Sequence, residues 1–98
     1  MIIAKPCTTM RGLVIQPYSW DREVKVDLGK TAECLGKKGV EVKKLIPKMM
    51  LIVEMEGYEL SVYPSGKIII KLLDDMEMGK KISREVFDCA GILEVVEG

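Results

Sequence analysis

Residues 63–70 read Tyr-Pro-Ser-Gly-Lys-Ile-Ile-Ile and place a group of turn residues directly before a run of three isoleucines. Proline and serine favour turns, and Gly66 can adopt the positive φ that a tight hairpin loop requires. Isoleucine is β-branched and favours extended backbone, so residues 67–73 are predicted to form a strand. Residues 58–63 lie before the turn and are its predicted partner. The stretch therefore predicts an antiparallel β-hairpin.

Three more strands are predicted upstream of this hairpin. Polar and apolar residues alternate over residues 22–28 and again over residues 40–45, which is typical of half-buried strands. Residues 49–56 form a longer strand, and Gly57 provides the turn into the hairpin. Pro47 ends the preceding strand because proline cannot donate a hydrogen bond to the ladder.

Two helices are predicted, one after residues 22–28 and one after the hairpin. Thr31 is expected to cap the first helix, and Gly39 to end it. Residues 74–77, Asp-Asp-Met-Glu, have the pattern of a capping box that opens a helix. Apolar residues then recur every three or four positions up to a stop at Gly91, namely Met78, Ile82, Val86 and Cys89. Because Gly79 costs a helix about 1 kcal/mol relative to alanine, packing must hold this helix in place.

The predicted order from residue 22 is strand, helix, four strands, helix. Antiparallel strands whose helices share one face make an α+β architecture, here a curved antiparallel sheet with two helices on one face and the other face open. Residues 2–4 and 12–16 are candidates for additional edge strands. We expect a single domain over residues 1–98, with an N-terminal extension (1–21), the strands and helices (22–90) and a C-terminal tail (91–98).

Composition limits the chemistry that this chain can perform. Its 98 residues contain 15 basic and 15 acidic side chains and no histidine. The balance argues against a polybasic nucleic-acid tail, and the absence of histidine excludes His-ligated metal sites and His-dependent catalysis. The sequence contains no glycine-rich phosphate loop and no metal-ligand spacing. We therefore expect neither an enzyme nor a bound cofactor or metal.

Targeting signals and cysteine usage indicate the compartment. Residues 1–20 lack the pattern of a secretion signal, and the longest uncharged run is too short to span a bilayer, so we expect a cytoplasmic protein with no membrane partner. Cys7, Cys34 and Cys89 are widely separated in the chain. Three cysteines without a secretion signal favour reduced thiols, buried as small hydrophobic residues. A metal or redox role would require all three to converge in space.

This order of elements, the hairpin of residues 63–70 and the sequence Leu-Ile-Pro at 45–47 together resemble one repeat of the TATA-binding protein over about residues 22–90. In that family two repeats in one chain form a saddle, whose concave sheet lies on the DNA minor groove with phenylalanines wedged between base steps. The resemblance implies a TATA-binding-protein-like half-saddle, and it favours an archaeal source. Because only one repeat is present, a complete saddle would require a homodimer.

The resemblance also implies contact roles for individual residues. Tyr63 and Ile46 match the wedge positions, and Lys67 matches a lysine that contacts the DNA backbone. The alternative for Tyr63 is a turn-flanking tyrosine that merely shields the hairpin. In the first strand, Asp21 and Glu23 match the groove-facing Asn and Val of the family.

The predicted floor of the sheet departs from the family. Side chains alternate along a strand, so one face carries Glu59, Ser61, Tyr63, Lys67, Ile69 and Lys71. The family has Val, Leu and Thr at the positions matched here by Glu59, Ser61 and Lys71. A carboxylate pressed into the minor groove would lose water and meet phosphate repulsion, so we expect Glu59 to pair with Lys71 instead. This mixed charge disfavours specific TATA recognition.

Two functions are compatible with these features. The leading one is a non-catalytic protein-binding or dimerisation module, which uses the open sheet face or an exposed edge strand for self-association or for a protein partner. Trp20 either caps the core or anchors that partner. The alternative is a weak, sequence-tolerant nucleic-acid binder that acts as a homodimeric saddle through Tyr63, Ile46 and Lys67. Salt distinguishes the two, because nucleic-acid affinity falls steeply as salt concentration rises.

Overall fold

The computed structural model describes residues 2–7, 11–18 and 24–97. Six strands form one antiparallel sheet in the spatial order β1-β2-β6-β5-β4-β3. The prediction of an α+β architecture with an open antiparallel sheet is therefore confirmed. In chain order the elements are β1 (Ile2–Pro6), β2 (Gly12–Pro17), α1 (Leu28–Lys37), β3 (Glu41–Ile46), β4 (Met50–Met55), β5 (Tyr58–Val62), β6 (Ile68–Lys71), α2 (Met76–Ala90) and α3 (Leu93–Glu97).

The hairpin predicted from residues 63–70 is present as β5 and β6. The Tyr63 N–H donates to the Lys67 carbonyl at 2.9 Å and closes the loop. Gly66 has a φ of 91° and is buried, and a Cβ there would lie 2.5 Å from Cγ of Pro17. Glycine is therefore required for the backbone conformation and for the close approach of β2.

The prediction of a strand over residues 22–28 is wrong over the residues that the structure describes, which begin at 24. Residues 24–27 have no regular secondary structure, and Leu28 already belongs to α1. The physical reason is Asp27, whose side chain accepts a hydrogen bond from the Lys30 N–H at 3.1 Å and caps the helix. Thr31, the predicted cap, lies within the first turn and donates its hydroxyl to the Asp27 carbonyl.

Strand β2 lies in the interior of the sheet, between β1 and β6. Strands were expected at residues 2–4 and 12–16, and both exist, but the second is an interior strand rather than an edge. It pairs with β6 from Gly12 opposite Lys71 to Ile15 opposite Ile68. β2 is therefore the strand that precedes α1 in the chain.

The core lies between one face of the sheet and the helices. Both α1 and α2 pack on this face and against each other. The central side chains of the core are fully buried, namely Leu13, Ile15, Leu51, Val53, Leu60, Val62, Ile68, Ile70, Val86 and Phe87. A Cβ on Gly79 would lie 2.7 Å from Cδ1 of Leu13, so glycine lets α2 approach β2 closely. Close packing against β2 therefore holds this helix, as expected for a helix whose propensity is lowered by an internal glycine.

Helix α2 starts and stops where predicted, although its cap is the single side chain of Asp75 rather than the four-residue capping box. The Asp75 side chain accepts hydrogen bonds from the N–H groups of Glu77 and Met78, and Gly91 ends the helix in the left-handed conformation with a φ of 77°. The predicted tail also contains a short helix, α3, and Val96 on it is fully buried in the core. None of the helices in the described part of the chain is long and apolar enough to cross a membrane.

The prediction of three reduced thiols is wrong for two of the cysteines. Cys34 on α1 and Cys89 on α2 form a disulfide, with their Cα atoms 5.4 Å apart and a sequence separation of 55. Their spacing carried no signal, because they meet only through the packing of both helices on the same face of the sheet. Cys7 is half-buried and lies outside this disulfide.

Candidate functional site: the open face of the sheet

The sheet face opposite the helices, here called the open face, presents its side chains in three rows that cross the strands. Its middle row is mainly aliphatic. Val14 on β2 lies opposite Ile69 on β6, Ile69 opposite Ser61 on β5, and Ser61 opposite Ile52 on β4. Val14, Ile52 and Ile69 are half-buried, and the residues before and after each of them along its strand are buried in the core. Lys5 on β1 and Lys44 on β3 stand at the two ends of the row, opposite Val14 and Ile52.

The second row, beside the hairpin loop, brings together the residues predicted from the wedge positions. Ile46 lies opposite Met50, and one step beyond the Leu51–Val62 pair the register places Met50 beside Tyr63. The ammonium group of Lys67 lies 4.9 Å from the centre of the Tyr63 ring, within the range of a cation–π contact. Tyr63, Ile46 and Lys67 are all half-buried on one surface.

The third row, at the other end of the strands, carries the carboxylates. Glu59 and Lys71 form an ion pair at 2.6 Å, which confirms the predicted pair, and Lys43 lies 4.0 Å from the same carboxylate. The register places Glu54 beside Glu59 and Glu41 beside Glu54. The hydrogen bond and the positive charge of Lys71, with a smaller effect of Lys43, hold the pKa of Glu59 below its usual value.

The predicted sharing of one face by the residues of β5 and β6 is confirmed. Ser61 pairs with Ile69 and Leu60 with Ile70, so Glu59 stands opposite Lys71. Trp20, Asp21 and Glu23 lie outside the described residues. The match of the latter two to groove-facing positions therefore stays a prediction.

The strand that pairs with β6 instead places Val14 and Gln16 on the open face. Sequence reasoning missed both residues. The alternation within Gly-Leu-Val-Ile-Gln-Pro at 12–17 could have indicated them, because Leu13 and Ile15 are buried and the residues between and after them face the other way. Alternation alone does not say whether a strand lies at the edge or in the interior of a sheet.

Two depressions lie on the surface of the described part of the chain. One lies at the end of the open face and is lined by Gln16, Pro17, Ser65 and Lys67. The other lies beside α2 and is lined by Glu56, Met78, Lys81, Ile82 and Glu85. Among residues 2–7, 11–18 and 24–97, no three acidic or cysteine side chains are placed to hold a metal ion.

Comparisons of this chain with protein-family models, with curated proteins and with solved structures found no match. The resemblance to a repeat of the TATA-binding protein therefore stays a prediction.

Proposed function

We propose that this chain is a non-catalytic module that binds a protein, a second copy of itself included, through its sheet. The observation that carries the proposal is the row formed by Val14, Ile69 and Ile52 across the open face. Val14 lies opposite Ile69, the small Ser61 stands between Ile69 and Ile52, and the helices pack on the opposite face. Aliphatic side chains grouped on a sheet face that carries no helix favour a protein interaction site.

The charge distribution around that row supports the proposal. Glu59 is neutralised by Lys71 within the chain, so the third row forms a polar rim that a partner can leave hydrated. Tyr63 and Met50 in the second row add amphipathic and adaptable contact surface, which is common at protein interfaces. An apolar centre with a polar rim is the usual anatomy of such interfaces.

The test uses the immobilised chain to capture proteins from an extract, with two variants that make the same chemical change. Ile69→Asp puts a carboxylate into the middle of the aliphatic row. Met76→Asp puts one at the exposed first residue of α2, where a helix tolerates negative charge. We expect a captured protein to be lost with Ile69→Asp and kept with Met76→Asp. Capture that is unchanged by Ile69→Asp would contradict the proposal.

The second candidate function is weak, sequence-tolerant nucleic-acid binding on a TATA-binding-protein-like half-saddle. Two observations favour it. The order β2, α1, β3 to β6, α2 matches the element order of that family's repeat. Strand β2 presents Val14 and Gln16 on the open face. Among the described residues of that face, the carboxylates lie in the third row, whereas Lys5, Lys44 and Lys67 lie in the other two.

A salt titration tests this candidate. The chain is titrated with an AT-rich duplex at low and high salt, and the measurement is repeated with Tyr63→Ala and Lys67→Ala. Nucleic-acid binding would weaken steeply with salt and would weaken further in both variants. Flat binding curves at low salt would exclude nucleic acid and leave the protein-binding proposal in place.

A further inference from the structure

The two edges of the sheet differ in how they are protected. At β3, the ladder register shifts between Val42 and Lys44, which marks a bulge, and residues 41–45 are all exposed. A bulge and exposed lysines are two devices that prevent an edge strand from pairing with another chain. A two-fold pairing of β3 about its midpoint would also bring Lys43 and Lys44 of both copies together. This edge is therefore unsuited to self-association.

The opposite edge, β1, has few of these devices. All five of its residues are described, and they pair with β2 from Ile2–Pro17 to Pro6–Leu13 without a register shift. Its single charge is Lys5, and its proline is the last residue of the strand. In the described part of the chain, β1 ends the sheet, so the backbone groups on its outer side are not used by another strand. Such an edge is a template for pairing with an added strand.

The sequence of β1 is complementary to itself in an antiparallel arrangement. A two-fold axis at Ile3 places Ile3 opposite its own copy and Ile2 opposite Ala4 of the second chain. Residues that face each other then lie on the same side of the sheet, as strand pairing requires. Ile2 and Ala4 already pack against the core, so the helix side of the joint would be apolar. Lys5 lies beyond these pairs and meets no copy of itself.

The geometry points to an isologous dimer in which the β1 strands of two copies pair antiparallel about Ile3. The two sheets then form one sheet of twelve strands, and the open faces of both copies lie on the same side of it. This inference rests on the proposed function only in so far as that function includes binding of a second copy of the chain. It names the edge and the register, and it leaves the aliphatic row free for another partner.

The experiment measures the dissociation constant of the full chain by sedimentation equilibrium. Ile3→Lys and Ile3→Glu each place like charges opposite each other at the axis, and we expect each to weaken the dimer roughly tenfold or more. An equimolar mixture of the two variants restores association as a heterodimer, because opposite charges then face each other. This rescue excludes misfolding as the cause of the loss. Val42→Lys makes the same change at β3 and serves as the matched control, which is expected to leave the dimer unchanged.

Other outcomes identify what is wrong. A wild-type chain that stays monomeric at all concentrations overturns the inference, as does a dimer that survives Ile3→Lys and is lost with Val42→Lys. A dimer lost with Ile69→Asp but kept with Ile3→Lys would place self-association on the open face and also overturn it. Loss of the captured protein with Ile69→Asp, with the dimer intact, supports both proposals. Failure of the capture test alone leaves the β1 dimer standing.

Discussion

At the scale of the residue, the ion pair between Glu59 and Lys71 balances a negative charge on the open face with a positive one from the same chain. A carboxylate on the open face would repel an anionic ligand, but this one is satisfied within the chain at 2.6 Å. Lys71 lowers the pKa of Glu59 first by a hydrogen bond and then by its charge. The pair was predictable from strand alternation, because residues 59 and 71 had to face each other once the hairpin register was known.

The lowered pKa gives a pH dependence with a definite sign. A carboxyl group whose folded pKa lies below its unfolded value stabilises the fold above the unfolded pKa, and this stabilisation is lost as pH falls through the folded pKa. The ordinary value for Glu59 is 4.5. We therefore expect Glu59→Gln to lower the unfolding free energy at neutral pH and to have little effect at pH values well below 4.5. Urea unfolding at both pH values measures this.

Lys71→Gln supplies the control in a double-mutant cycle. Once the lysine is absent, Glu59→Gln should lose most of its effect at neutral pH. An effect of the same size in both backgrounds would mean that Lys71 is not the cause of the lowered pKa.

Two glycines within helices make opposite predictions for the same substitution. Gly79→Ala would place a Cβ 2.7 Å from Cδ1 of Leu13, whereas a Cβ on Gly36 meets nothing within 4 Å. Overpacking costs about 1–3 kcal/mol, and the gain in helix propensity is about 1 kcal/mol. We expect Gly79→Ala to lower the unfolding free energy by up to about 2 kcal/mol and Gly36→Ala to raise it by up to about 1 kcal/mol. Equal stabilisation by both would show that α2 does not approach β2 this closely.

At the scale of the element, the disulfide between Cys34 and Cys89 joins α1 to α2. The two helices lie on the same face of the sheet and contact each other, so the cross-link closes a loop with a sequence separation of 55. In the chain-entropy account, a loop of this length stabilises the folded state by about 4 kcal/mol. The helices are therefore held by this bond as well as by their buried faces.

Reduction is expected to lower the unfolding free energy by about 2–4 kcal/mol. Cys34→Ser and Cys89→Ser should each reproduce that loss and should make the protein insensitive to reductant. Alkylation of the unfolded chain, read by mass spectrometry, checks the bond itself. We expect modification at Cys7 alone before reduction and at all three cysteines afterwards. Three modified cysteines before reduction would contradict the disulfide.

At the scale of the whole molecule, the strand order determines which backbone groups are protected. β5 and β6 are central and are hydrogen-bonded on both sides, whereas β3 and β1 end the sheet. We expect amide hydrogen exchange to be slowest in β5 and β6 and faster in β3. The two edges should then respond differently to protein concentration. Protection of β1 rises with concentration if its copies pair, and that of β3 does not. If only the protection of β3 rose with concentration, the copies would pair through β3, and the proposed β1 dimer would be wrong.

Much of the fold was predictable from local sequence, because its signals act within a few residues. The loop at residues 64–66, the cap at Asp75 and the stop at Gly91 depend on turn and capping chemistry that short segments carry by themselves. The alternation that buries Leu60 in the core and turns Glu59 to the open face depends only on the pleat of a strand. These features established the hairpin, α2 and half of the open face.

What tertiary structure alone decided are the features that depend on which segments meet. Asp27 caps a helix inside a segment that was predicted as a strand, and β2 became an interior strand beside β6. Cys34 and Cys89 became partners because two helices dock on one sheet face. Contacts between distant segments depend on the packing of the whole chain, and no local pattern encodes the neighbour that a strand or a thiol will find.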